Sequence, residues 1–150
     1  MKLLSCTQTH VGRRRKTNQD QVFAADGLFV VCDGMGGHKA GEVASAMAVE
    51  TVVDFIQRTR ENTNPTWLYG FDARLSWNGN LLRTAIKLAN ESVSRAARST
   101  VNYAGMGTTL VAAFLPPNAR TVTYASVGDS RLYLIRGRTI HWRSASEKPL

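Results

Sequence analysis

The sequence is short of cysteine, proline and acid, and each shortage removes a class of protein. Two cysteines, Cys6 and Cys32, stand far apart with no C-x-x-C pair. That excludes a disulfide framework and a thiolate zinc site. Cys32 lies inside an apolar run and reads as a small core residue. A reduced, cytoplasmic setting fits such cysteine usage. The three histidines, His10, His38 and His141, share no metal-ligand spacing. Four prolines in 150 residues leave no room for a proline-rich linker. No apolar run approaches membrane-spanning length. Leu3-Leu4-Ser5-Cys6 ends like a lipoprotein signal, but the apolar stretch before the cysteine is too short for one. Acids number 11 against 19 lysines and arginines, a formal net charge of +8. Such a surface attracts phosphate groups, acidic proteins or nucleic acid, and charge alone does not choose among them.

What is present is an ordinary globular composition, 43% apolar and 20% charged, enough for one domain with a core. The pattern predicts strands at 2–9 and 20–25, then a hairpin turn at Asp26-Gly27. Leu28-Phe29-Val30-Val31-Cys32 reads as a strand buried on both faces that ends at Asp33. Helices are expected at about 40–58 and 80–98. Val49, Val52, Val53 and Ile56 line the first. Leu82, Ala85, Ile86, Ala89, Val93, Ala96 and Ala97 line the second. Strands return at 109–115, 121–127, 130–136 and 139–143. Strands, two helices, then strands again point to a layered α+β fold.

Three segments could carry chemistry. Asp33-Gly34-Met35-Gly36-Gly37 ends an apolar strand. A carboxylate there is rigidly held, and the glycines let backbone approach an ion or phosphate. Lys39 breaks the dinucleotide fingerprint, and no P-loop spacing follows. Arg15-Lys16-Thr17-Asn18-Gln19-Asp20 joins a guanidinium suited to phosphate oxygens with a carboxylate. Gly128-Asp129-Ser130-Arg131 sets a third aspartate at a strand break. Each alone also reads as a turn or a solvated face. Together, Asp20, Asp33 and Asp129 offer the oxygen ligands that Mg²⁺ or Mn²⁺ prefer.

These segments resemble the motifs of the PPM, or type-2C, metal-dependent protein phosphatases. Arg15-x-x-Asn18-Gln19-Asp20 is similar to the family's first motif. Val31 to His38 is similar to the second, in its bacterial form. Gly105-Met106-Gly107-Thr108-Thr109-Leu110 resembles the third, and Val127 to Tyr133 the fourth, in family order. The resemblance implies a four-layer sandwich, two β-sheets flanked by helices, with the site at one end. It implies Asp33 bridging two Mg²⁺ or Mn²⁺ ions and the Gly34 carbonyl ligating one. Asp20 would hold metal-bound water, and Asp129 would sit near a further metal position. Arg15 would grip the substrate phosphate, and Thr109 would lie close by. A hydroxide between the metals would then hydrolyse phosphoserine or phosphothreonine.

The resemblance also implies phosphoprotein substrates, targets of a cognate kinase. Nucleic acid ranks last as a partner, since the basic surface comes with no nucleic-acid motif and no interleaved aromatic stripe, and no membrane partner is expected. Gln19 stands where many members have Glu, and Met35 where many eukaryotic members have His. After Asp129 the only acid is Glu147. Residues 1–150 are therefore expected to form the first half to two-thirds of the domain, without its later metal-ligand motifs. The alternative expectation is a catalytically impaired module that binds phosphoproteins or regulates a partner.

Overall fold

A computed structural model describes residues 3–36, 40–62 and 64–144. Strand β1 (Asp20–Ala25) pairs antiparallel with β2 (Leu28–Met35). The turn between them has positive φ at both residues, 52° at Asp26 and 75° at Gly27. That is the hairpin geometry expected of an Asp-Gly pair. Two helices follow, α1 (Ala40–Thr59) and α2 (Trp77–Ser99). Ser76 caps α2 by accepting the Gly79 N–H at 3.1 Å. Then come β3 (Gly107–Thr108), β4 (Leu110–Phe114) and β5 (Thr123–Val127). The strand order is β1-β2-β4-β5, with β3 added beside β2. A separate hairpin, β6 (Tyr133–Arg136) and β7 (Thr139–Arg143), makes a two-stranded second sheet.

Both helices lie on one face of the large sheet. Leu28, Val30, Cys32, Ala112 and Phe114 pack there against Ala44, Val52, Ile56, Leu82 and Ala89. The helical stripes are as expected, with Val53, Ile86, Ala96 and Ala97 at their half-buried margins. Leu81 joins the core beside Leu82, a position outside the expected stripe. The described residues thus supply the α+β class, one helical layer and its sheet.

Three expectations are corrected. Residues 3–9 form no strand; they are exposed and no described strand lies beside them to complete the hydrogen bonds. β2 is not buried on both faces. Its even-numbered residues face the helices, while Val31 is 42% exposed on the other side. Nor does β2 end at Asp33, because pairing with β3 carries it on to Met35.

A buried polar side chain holds the connection between the helices. Asn80 is fully buried, accepts the Asp72 N–H at 2.8 Å and donates to the carbonyls of Asp72 at 2.9 Å and Ser76 at 3.1 Å. Asn80→Ala will strand these groups and lower stability by about 2–3 kcal/mol. Urea denaturation followed by circular dichroism measures this, and a loss below about 0.5 kcal/mol would contradict it.

Candidate functional site

The hairpin register places Asp20 directly opposite Asp33. Both project from the sheet face away from the helices, because side chains of paired residues share a face. The backbone at each aspartate is fixed from outside the hairpin. Asn18 accepts the Asp20 N–H at 3.1 Å through its Oδ1. Thr109 Oγ1 accepts the Asp33 N–H at 3.0 Å. The Asp33 carbonyl accepts from Thr109 N at 2.9 Å and from Thr108 Oγ1 at 3.1 Å. Thr109 Oγ1 also meets Ser130 Oγ at 2.6 Å. A Cβ at Gly128, whose φ is +90°, would fall 2.9 Å from Thr109 Cγ2. Three of the sequence motifs therefore converge on Thr109, which was expected only to lie near the site. Thr108 and Ser130 were not singled out, although both sit inside quoted motifs.

Gln19 acts through its backbone. Its carbonyl accepts from Gly34 N at 3.1 Å and from Ser45 Oγ at 2.6 Å. This joins β1, β2 and the first turns of α1 at one point. Ser45 is fully buried and was missed, since nothing in a helical Ser marks it as a cross-link.

Charge draws the remaining residues together. The Asp33 carboxyl is held above the usual carboxylate range. Desolvation is the largest cause, followed by the charge of Asp20 and hydrogen bonding to it. Arg15 opposes the shift, and Asp129 adds a smaller push upward. The fold thus gathers Arg15, Asp20, Asp33 and Asp129 into one electrostatic neighbourhood. Among the described residues, however, no three His, Cys, Asp or Glu side chains stand close enough to hold an ion. Asp20 and Asp33 are the close pair, and Asp129 is the outlier. His38 falls outside the described residues.

The donors fit a hard divalent cation in kind, since they are oxygens and a cation would relieve the repulsion that raises Asp33. A cleft of about 730 Å³ lies along α2 and β3, lined by Met35, Tyr69, Lys87, Glu91, Met106 and Thr108 among others. It includes none of Arg15, Asp20, Asp33 or Asp129, so the concavity and the carboxylate pair are separate features.

Residues 7–148 match the family model described as protein phosphatase 2C. The chain belongs to the protein phosphatase 2C family. A relative, the serine/threonine phosphatase stp of Listeria welshimeri, is 38% identical over 138 residues. That match covers 89% of this type-2C chain and 50% of the relative. The crystal structure of the serine/threonine phosphatase PstP/Ppp of Mycobacterium tuberculosis superposes with a TM-score of 0.70 at 28% identity. It covers 90% of this chain and 52% of that one. The catalytic domain of the phosphatase PstP, solved with two manganese ions, gives a TM-score of 0.68 at 30% identity, covering 89% of this chain and 51% of that one. The chain spans about half the length of the curated relatives it matches.

Proposed function

We propose that residues 1–150 are the part of a type-2C protein serine/threonine phosphatase that grips phosphate and begins the metal site. The observation that carries this reading is the facing Asp20–Asp33 pair with Arg15 acting on it electrostatically. The substrates are phosphoserine and phosphothreonine side chains of proteins. Asp33 and the Gly34 carbonyl would hold Mg²⁺ or Mn²⁺, Asp20 would hold the metal through bound water, and Asp129 would stand at the margin of that cluster. The ions would supply hydroxide from water near neutral pH and offset phosphate charge. Arg15 orients the substrate through its phosphate oxygens and neutralises the charge that develops there. The Thr108–Thr109 contacts fix the backbone of Asp33, so its carboxylate is positioned before substrate arrives.

Arg15→Ala will weaken phosphopeptide binding by at least about tenfold, since charge-assisted contacts to phosphate are worth roughly 1.5–3 kcal/mol. Anisotropy titration with a phosphothreonine peptide checks this, and an unchanged affinity would remove Arg15 from its role.

A second reading has its own support. No three-ligand group assembles among the described residues, so the 150-residue chain is expected to take up metal weakly and to bind phosphopeptides with little turnover. Manganese-dependent hydrolysis of p-nitrophenyl phosphate by the purified chain, at rates matching a full-length relative, would rule this second reading out.

A further inference from the structure

Arg13, Arg14, Arg15 and Lys16 are four cations in succession, all exposed. The phosphate-gripping role uses only Arg15. The loop that carries them is closed at its base. Asn18 Nδ2 donates to Thr9 Oγ1 at 2.8 Å, and the same Asn18 accepts from the first residue of β1. Inside the loop, Gly12 turns with φ of 78° and donates its N–H to His10 Nδ1 at 2.9 Å. The cations are thus tethered at a set place relative to Asp20. Among the described residues, the ion pairs engage Arg58, Arg60 and Arg74, and none engages this loop. Neighbouring like charges repel, and an anionic ligand relieves that repulsion.

We infer that Arg13, Arg14 and Lys16 read acidic side chains flanking the phosphoresidue, so that the site prefers acidic phosphopeptides. The inference rests on the phosphatase reading, in which Arg15 holds the phosphate. In an extended peptide, residues two apart are about 7 Å from each other. That is within the screening length of about 8 Å at physiological salt, so a flanking carboxylate falls within reach of the loop's charges. A nucleic acid is a poorer fit. Its phosphates recur every few ångströms and would run over the Asp20–Asp33 carboxylates. The loop also offers no Phe, Tyr or Trp on which bases could stack.

The test is fluorescence anisotropy of the 150-residue chain in magnesium. Four probes are compared: a phosphothreonine peptide with Ala and Gly flanks, the same with Asp and Glu flanks, the acidic peptide unphosphorylated, and a random duplex DNA. Exposed ion pairs contribute up to about fivefold each, so acidic flanks should tighten phosphopeptide binding by roughly three- to tenfold. The double substitution R13Q/R14Q should bring that preference down to about twofold or less, weakening the acidic phosphopeptide more than the neutral one. Circular dichroism confirms that the variant is folded.

Equal binding of the two phosphopeptides by the parent chain overturns the inference. So does a preference that survives R13Q/R14Q, or a variant that loses duplex affinity without losing the preference. If the acidic peptide binds alike with and without phosphate, the phosphatase reading fails at Arg15. An acid preference that R13Q/R14Q still abolishes would then leave the loop's role standing.

Discussion

Gly34→Ala will destabilise the protein by about 3 kcal/mol or more. The change adds one methyl group, which usually costs little at an exposed site. Here the added carbon would stand 1.9 Å from the Gly41 carbonyl oxygen and 2.7 Å from that of Gln19. Both obstacles are backbone, so no side chain can rotate away. Gly34 sits on the helix-facing side of β2, and Gly41 lies in the first turn of α1. Relief would require moving the helix off the strand, which would break the contact Ser45 Oγ makes with the Gln19 carbonyl. Thermal unfolding by circular dichroism decides the matter. A Gly34→Ala chain that melts within a degree or two of the parent would show that α1 is not seated as described.

Asp33→Asn should have opposite effects on stability and on ion binding. In the folded chain Asp33 holds its proton more tightly than an ordinary carboxyl, because of desolvation and the nearby Asp20. The native state therefore binds more protons than the unfolded state between the two pKa values, and stability falls as pH rises through that window. Above it the penalty is complete. Asparagine carries no charge and escapes it. At pH 7 and without divalent cations, Asp33→Asn is expected to melt higher than the parent. The gap should narrow as the pH falls through the raised value toward the ordinary carboxylate range. Manganese should stabilise the parent and not the variant. Manganese-dependent turnover, where present, should fall at least about hundredfold. Differential scanning fluorimetry with and without manganese measures the first effects. Equal manganese stabilisation of both proteins would show that Asp33 does not hold the ion.

Both predictions turn on features that the sequence exposes unequally. The Asp-Gly turn between two expected strands makes the β1–β2 register legible, and register alone brings Asp20 to Asp33. The helical stripes are legible for the same reason, since apolar spacing reports which face is buried. Gly34 was read as clearing space for an ion or phosphate. In the fold, its missing side chain also clears space for the α1 backbone. That close approach depends on the angle between strand and helix, which no local pattern encodes. Ser45, Thr108 and Ser130 were missed for a related reason: their partners lie 21 to 75 residues away in sequence. The first segment failed in the other direction. Residues 3–9 carry a strand-like pattern, but strand formation needs a neighbour, and the pattern does not say whether one is there.

The two sides of the large sheet differ in a way that bears on ion capture. Asp20 and Asp33 share their face with Val31 and Tyr124, 42% and 45% exposed, and not with the helix-packed core. Any layer of protein laid over Val31 and Tyr124 also draws water away from the carboxylate pair. Drying makes two adjacent negative charges costlier and a divalent cation between them more welcome. Covering this face and binding the ion are then linked equilibria. By reciprocity each strengthens the other by the same factor, so the affinity for manganese becomes a gauge of how firmly that face is covered.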